Sequence, residues 1–152
     1  MAYHESYLKL IKSSWGIVIG YKGEIISTDK ENPDPDFEQL CDSVFLKLRL
    51  TLNHVYVEQI KILIENGIRW IAVVLPVNSN LYITVTEIDF NMCNFQIEGF
   101  FFGVANWLCN YFNIEMPQFS YFYDRKLNSY FFYFDEDDND QSFNLLYPEV
   151  EG

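Results

Sequence analysis

A chain of 152 residues, 49% hydrophobic and 21% charged, falls within one ordinary domain and can bury roughly two thirds of its unfolded surface, so 1–152 is read as a single globular domain. Twenty-two acidic against ten basic side chains give a formal net charge of −12, which repels phosphate and anionic lipid and argues against nucleic acid or a membrane as a direct ligand. Disordered, collagen-like and disulfide-scaffold classes are excluded as well; an aromatic share of 18% is the anomaly.

Residues 1–12, MAYHESYLKLIK, carry His4 and Glu5 where a signal peptide needs cations, so the mature chain is expected to begin at Met1. Tyr3, Tyr7, Leu8 and Ile11 share a helical face and predict a short N-terminal helix. WGIVIG (15–20) and EIIST (24–28) predict a hairpin turning at Tyr21-Lys22-Gly23. After the loop 28–36, Asp34 before Pro35 makes a good helix start, and Phe37, Leu40, Cys41, Val44, Phe45, Leu48 and Leu52 recur at amphipathic spacing. Val57, Ile60, Leu63 and Ile64 predict a second helix, ended by Asn66-Gly67.

IRWIAVVL (68–75) reads as a central strand stopped by Pro76. LYITVTEIDF (81–90) reads as another, whose apolar phase flips near Thr86-Glu87 and predicts a β-bulge there. Residues 97–112 are helical in spacing and apolar on most sides. Their longest apolar stretch, Ile97 to Cys109, is interrupted by Glu98 and Asn106 and is shorter than the ~20 residues a bilayer requires. QFSYFYD (118–124) and SYFFYFD (129–135) flank a four-residue loop of hairpin length. The expected class is α+β, an antiparallel or mixed sheet built from hairpins with helices packed on it, in the order α-ββ-αα-ββ-α-ββ. Phe45, Leu48, Ile71, Val73, Val85, Phe101, Val104 and Leu108 are its expected core.

Catalytic signals are sparse. No G-x-S-x-G, P-loop, H-E-x-x-H or C-x-x-C pattern occurs, and His54 with Glu58 lacks the partners that acid–base chemistry demands. Residues 135–146 lack the glycine and the final glutamate of a calcium loop. Cys41, Cys93 and Cys109 fit neither a disulfide framework nor a zinc site, which suits a reducing cytoplasm. The chain is therefore expected to be no enzyme and to need no cofactor or metal.

Charge and aromatics point instead to binding. Residues 135–152 hold seven acids (Asp135, Glu136, Asp137, Asp138, Asp140, Glu149, Glu151) and no cation, and 29–42 hold six (Asp29, Glu31, Asp34, Asp36, Glu38, Asp42) against Lys30. An acidic run after a last strand is ordinarily a solvated tail. Beside tyrosine and phenylalanine, however, it suits capture of a basic protein, with charge speeding encounter and rings anchoring the complex. Asp135, Glu136, Asp137, Asp138, Asp140, Tyr130, Tyr133, Asp34, Asp36 and Glu38 are the candidate partner-binding residues, on a chain expected to be monomeric before it meets its partner.

The segment EIDFNMCNFQIEGFFFGVANWLC (87–109), followed by DRKLNSYFFYF (124–134), resembles the C-terminal half of small bacterial immunity proteins, which protect cells from polymorphic or contact-dependent growth-inhibition toxins. From its first residue to its last the resemblance spans about a third of the chain, and it implies a cytosolic inhibitor of a cognate toxin domain, typically a nuclease. The competing readings are an acidic nucleic-acid mimic acting on a host DNA-binding or restriction enzyme, and a hydrolase with paired carboxylates in a cleft.

Overall fold

The structure, a computed structural model, describes residues 3–12, 16–49, 56–90 and 96–134. Its elements run β1 (Tyr3–Ile11), β2 (Gly16–Thr28), β3 (Glu38–Cys41), β4 (Val44–Leu48), α1 (Val57–Ala72), β5 (Asn80–Phe90), α2 (Gly99–Phe112), β6 (Phe119–Asp124) and β7 (Ser129–Phe134). Five strands form one sheet in the order β1-β2-β5-β4-β3. Only β4 and β5 are parallel, and α1 makes the crossover between them. The fold is α+β with a mixed sheet and two packed helices, but its order departs from the expected one in the N-terminal half.

Residues 3–11 are a strand, not a helix. Leu8 and Leu10 are buried while Tyr3, Glu5, Tyr7, Lys9 and Ile11 are exposed, and nine antiparallel pairs with β2 outweigh a short helix with no capping residue. β2 runs unbroken through Tyr21-Lys22-Gly23, where a hairpin was expected. No glycine among the described residues has positive φ, so Gly23 serves close approach and not a turn. The long helix expected from Asp34 is the β3–β4 pair. A turn at Asp42-Ser43 separates Cys41 from Val44, so the three- and four-residue spacings were two alternating strands read across a tight turn. Asp34 does accept a nearby N–H, that of Asp36 at 2.9 Å, but in a local turn instead of a helix cap.

One helix, α1, replaces the expected helix and strand over 57–75. Asn66-Gly67 does not end it, because Gly67 is where α2 crosses; a Cβ there would lie 2.5 Å from the Phe101 carbonyl oxygen. Val73, expected in the core, is 85% exposed just past the helix end, and Phe45 and Leu48 are half-buried. Ile71, Val85, Phe101, Val104 and Leu108 are core residues as expected.

In the C-terminal half the expected elements form. The β2–β5 register slips between Lys22 and Gly23, whose partners are Glu87 and Val85. Thr86 is thus the bulged residue, and its hydroxyl donates to the Lys22 carbonyl. Val85 before the bulge and Ile88 and Phe90 after it therefore join one core. α2 is buried along most of its length between the sheet and α1. Two free cysteines are described, Cys41 and Cys109; burial pushes the Cys109 thiol up to about 11. Cys93 and His54 lie outside the described residues.

Candidate partner-binding surfaces

In the β6–β7 hairpin, strand alternation divides the aromatics between two faces. Phe119, Tyr121 and Tyr123 pair with Phe134, Phe132 and Tyr130 on the inner face; Ser120 and Phe122 pair with Tyr133 and Phe131 on the outer. The turn is closed by the Asp124 carboxylate, which accepts from Lys126 N–H and Leu127 N–H, and by Asn128 at φ 53°. Phe102 of α2 stacks on Phe119 at 4.3 Å and Phe132 at 4.8 Å, and Trp70 of α1 meets Phe134 edge-on. The Gln96 side chain grips β7, accepting from Tyr130 N–H at 2.7 Å and donating to Tyr130 C=O at 2.6 Å, as a neighbouring strand does.

Tyr130 is therefore a core residue. It is buried, and its hydroxyl accepts from Lys12 N–H at 2.9 Å, which corrects its assignment as a surface anchor: period-two alternation turns it inward. Tyr133 lies on the outer face, half-buried, its ring nearly parallel to Phe122 at 5.5 Å. Phe122, 45% exposed, also stacks on Phe131 at 5.6 Å. An outward aromatic row thus runs along the hairpin. Asp135, Glu136, Asp137, Asp138 and Asp140 follow β7 directly in sequence but lie outside the described residues.

Asp34, Asp36 and Glu38 do not make one cluster. The loop before β3 folds onto the sheet face opposite the helices, where Phe37 meets Tyr82 edge-on at 5.1 Å, Phe45 stacks on Tyr82 at 4.8 Å, and Asn32 N–H donates to the Tyr82 hydroxyl. Asp34 accepts from Lys47 Nζ at 2.6 Å. That bond, helped by the Asp36 N–H, holds its carboxyl below the ordinary range. This cover buries Tyr82 and Thr84, which the strand pattern alone would leave as an open face. Asp36 is exposed. Glu38 pairs with inward Leu46 and so lies on the side of β3 that faces α1 and Glu65.

Burial first, then the Glu38 hydrogen bond and charge, push the Glu65 carboxyl above its ordinary value, against the opposing pull of Arg69 and Lys61. The native state therefore binds this proton more tightly than the unfolded chain, and its contribution to stability is full below the unfolded pKa and lost as pH rises through the folded one. Glu65→Gln is expected to flatten that part of the stability–pH profile and to stabilise the protein at neutral pH; urea denaturation across the acid range checks this. A variant that loses stability at neutral pH would show that the pair is net favourable.

A third surface was not expected from the sequence. The rest of the sheet face turned away from the helices carries Tyr3, Glu5, Tyr7, Lys9 and Ile11 from β1, Val18, Gly20, Lys22 and Glu24 from β2, and Glu87 and Asp89 from β5. A Cβ on Gly20 would lie 2.3 Å from the Tyr7 ring, and one on Gly16 would lie 2.5 Å from Ile11 Cγ1, so both side chains lie flat across glycines of β2. Tyr7 spans the strand, and its hydroxyl donates to Asp89 Oδ2 on β5 at 3.0 Å; that bond raises the phenol's pKa. Lys22 stands between Glu5 at 3.7 Å and Glu87 at 3.8 Å. The legible signal was alternation over 3–11 with glycines four apart on the next strand.

Helix side chains reach backbone carbonyls of both outer strands of the sheet. Trp107 Nε1–H donates to His4 C=O and Asn106 to Tyr7 C=O on β1, while Arg69 Nε–H donates to Leu40 C=O on β3. Among the described residues no three His, Cys, Asp or Glu side chains converge to hold a metal, and no helix is long and apolar enough to cross a membrane. The chain matches no protein-family model, no curated protein and no solved structure.

Proposed function

We propose that this chain is a toxin-neutralising immunity protein that binds and inhibits a cognate cationic nuclease domain, an RNase or DNase, in the cytosol, without turnover of its own. The observation that carries the reading is the outward row Phe122, Phe131 and Tyr133, which leads in sequence straight into Asp135–Asp140, where there is no lysine or arginine. A nuclease groove that grips phosphate is cationic, and a −12 chain is its electrostatic complement. Planar rings on a rigid hairpin add contact area at low entropic cost.

The test is a search of the neighbouring reading frames for a basic nuclease domain, followed by binding kinetics with that domain across a salt series. Tyr133→Ala with Phe122→Ala is expected to leave the fold intact and to speed dissociation, at a cost of about 2 kcal/mol or more. Neutralising Asp135, Glu136, Asp137 and Asp138 is expected to slow association and to flatten its salt dependence. Association flat in salt for the unaltered protein, or protection of cells unchanged in both variants, would overturn the reading. So would hydrolysis by the pure protein that His54→Ala abolishes.

A further inference from the structure

We infer that the open half of the five-stranded sheet is a second docking face, which receives arginine side chains of a basic protein segment. Its centre is the Tyr7 ring, held flat over Gly20 and tied to Asp89. An exposed ring face attracts a cation through its quadrupole, and a guanidinium can stack on it while donating to a carboxylate in the same plane. Tyr7 occupies Oδ2 of Asp89, leaving Oδ1 as an acceptor at the ring edge. Glu5 and Glu87 come next along the face, on either side of Lys22, and Glu24 lies further along β2 opposite Tyr3. Lys22, the cation between Glu5 and Glu87, lies beyond hydrogen-bonding distance of both carboxylates, so it holds neither firmly and yields to a better donor. Tyr3 and Ile11, 61% and 59% exposed, extend the platform along β1.

Charge selects the occupant. Four carboxylates against Lys9 and Lys22 leave this face negative, which repels nucleic acid, and two copies of a −12 chain repel each other. Side chains from α2 and α1 already take up a carbonyl on each edge strand, which hinders strand addition there, whereas the ring and the carboxylates are presented on the face. The surface looks away from the helices that carry the hairpin, so it stands or falls independently of the nuclease reading.

The test is titration of the isotope-labelled full chain with a short arginine-rich peptide and with its lysine counterpart of equal charge, following backbone amide signals. The expected result is shifts centred on β1, on β2 around Gly20 and on β5 from Glu87 to Asp89, with the arginine peptide binding about tenfold more tightly than the lysine peptide. Glu87→Gln with Asp89→Asn, both exposed positions, is expected to remove most of that preference and the local shifts. Tyr7→Phe, which keeps the ring and drops the hydroxyl, is expected to retain stacking. Equal binding of the two peptides, shifts spread over every acidic segment, or no shifts at β1 would overturn the proposal. Concentration-dependent shifts on this face without peptide would overturn it in favour of a second copy of the chain.

Discussion

Trp107→Ala is expected to cost about 3–5 kcal/mol of folding stability, the range for deleting a large buried aromatic. Trp107 is among the largest fully buried side chains of the protein. Its ring stacks on Tyr21 of β2 at 5.9 Å, and its Nε1–H donates to the His4 carbonyl at 3.0 Å. The helix comes this close because two of the α2 residues that face β2 are glycines. A Cβ on Gly99 would lie 2.6 Å from Ile17 Cγ2, and one on Gly103 would lie 2.9 Å from Tyr21 Cε1. With the backbone drawn against the sheet, the indole one turn on fills the gap between α2 and the edge strand. Truncation leaves a cavity that neither layer can close. It also removes the donor that keeps a β1 carbonyl from offering itself to another chain. Trp107→Phe keeps most of the packing and loses the N–H, with an expected cost nearer 1 kcal/mol beyond the volume change. Chemical denaturation of both variants measures the difference; a loss below about 1 kcal/mol for the alanine variant would place the indole outside the core.

Where the hydrophobic pattern had a single interpretation, the element was legible. The phase change in 81–90 located the bulge because no straight strand puts Val85 and Ile88 on one side. The stretch 97–112 is too long and too apolar to be anything but a buried helix, and the aromatic runs around 125–128 leave a gap of hairpin length. Misreading came where one pattern fits two structures. Leu40, Cys41, Val44 and Leu48 satisfy a helical stripe, yet Leu40, Val44 and Leu46 equally line one side of two strands joined at Asp42-Ser43. Gly23 and Gly67 looked like punctuation and are contact points; the distinction rests on what lies across from them, which is tertiary information. The same holds for the candidate sites. Alternation assigns Tyr130 and Tyr133 to opposite faces, but only the seat on Phe102 shows which face is inside. The loop that folds over Tyr82 had no signature beyond lacking periodicity.

Gly23→Ala is expected to be the most damaging single-methyl addition in the sheet, at about 3 kcal/mol or more, the upper end of the overpacking range. A Cβ there would lie 1.9 Å from the Thr84 carbonyl oxygen and 3.0 Å from its carbonyl carbon, both backbone atoms. No rotamer change relieves that contact; β2 and β5 must separate where Thr86 is bulged and its hydroxyl closes the gap onto the Lys22 carbonyl. Separation here would put Val85 and Ile88 out of phase and move Glu87 and Asp89 from beneath Lys22 and Tyr7. The local fault therefore reaches both the core and the outer face. Gly20→Ala is the control. The nearest atoms to its Cβ would be those of the Tyr7 ring, at 2.3 Å, and a half-exposed ring can swing toward solvent, so the expected cost is about 1 kcal/mol with loss of the Tyr7–Asp89 bond. Urea denaturation of the two variants gives the order directly. If Gly23→Ala proves the milder of the two, the bulge is not where the strands are pinned, and the shared phase of Val85 and Ile88 must come from α2 pressing on the sheet.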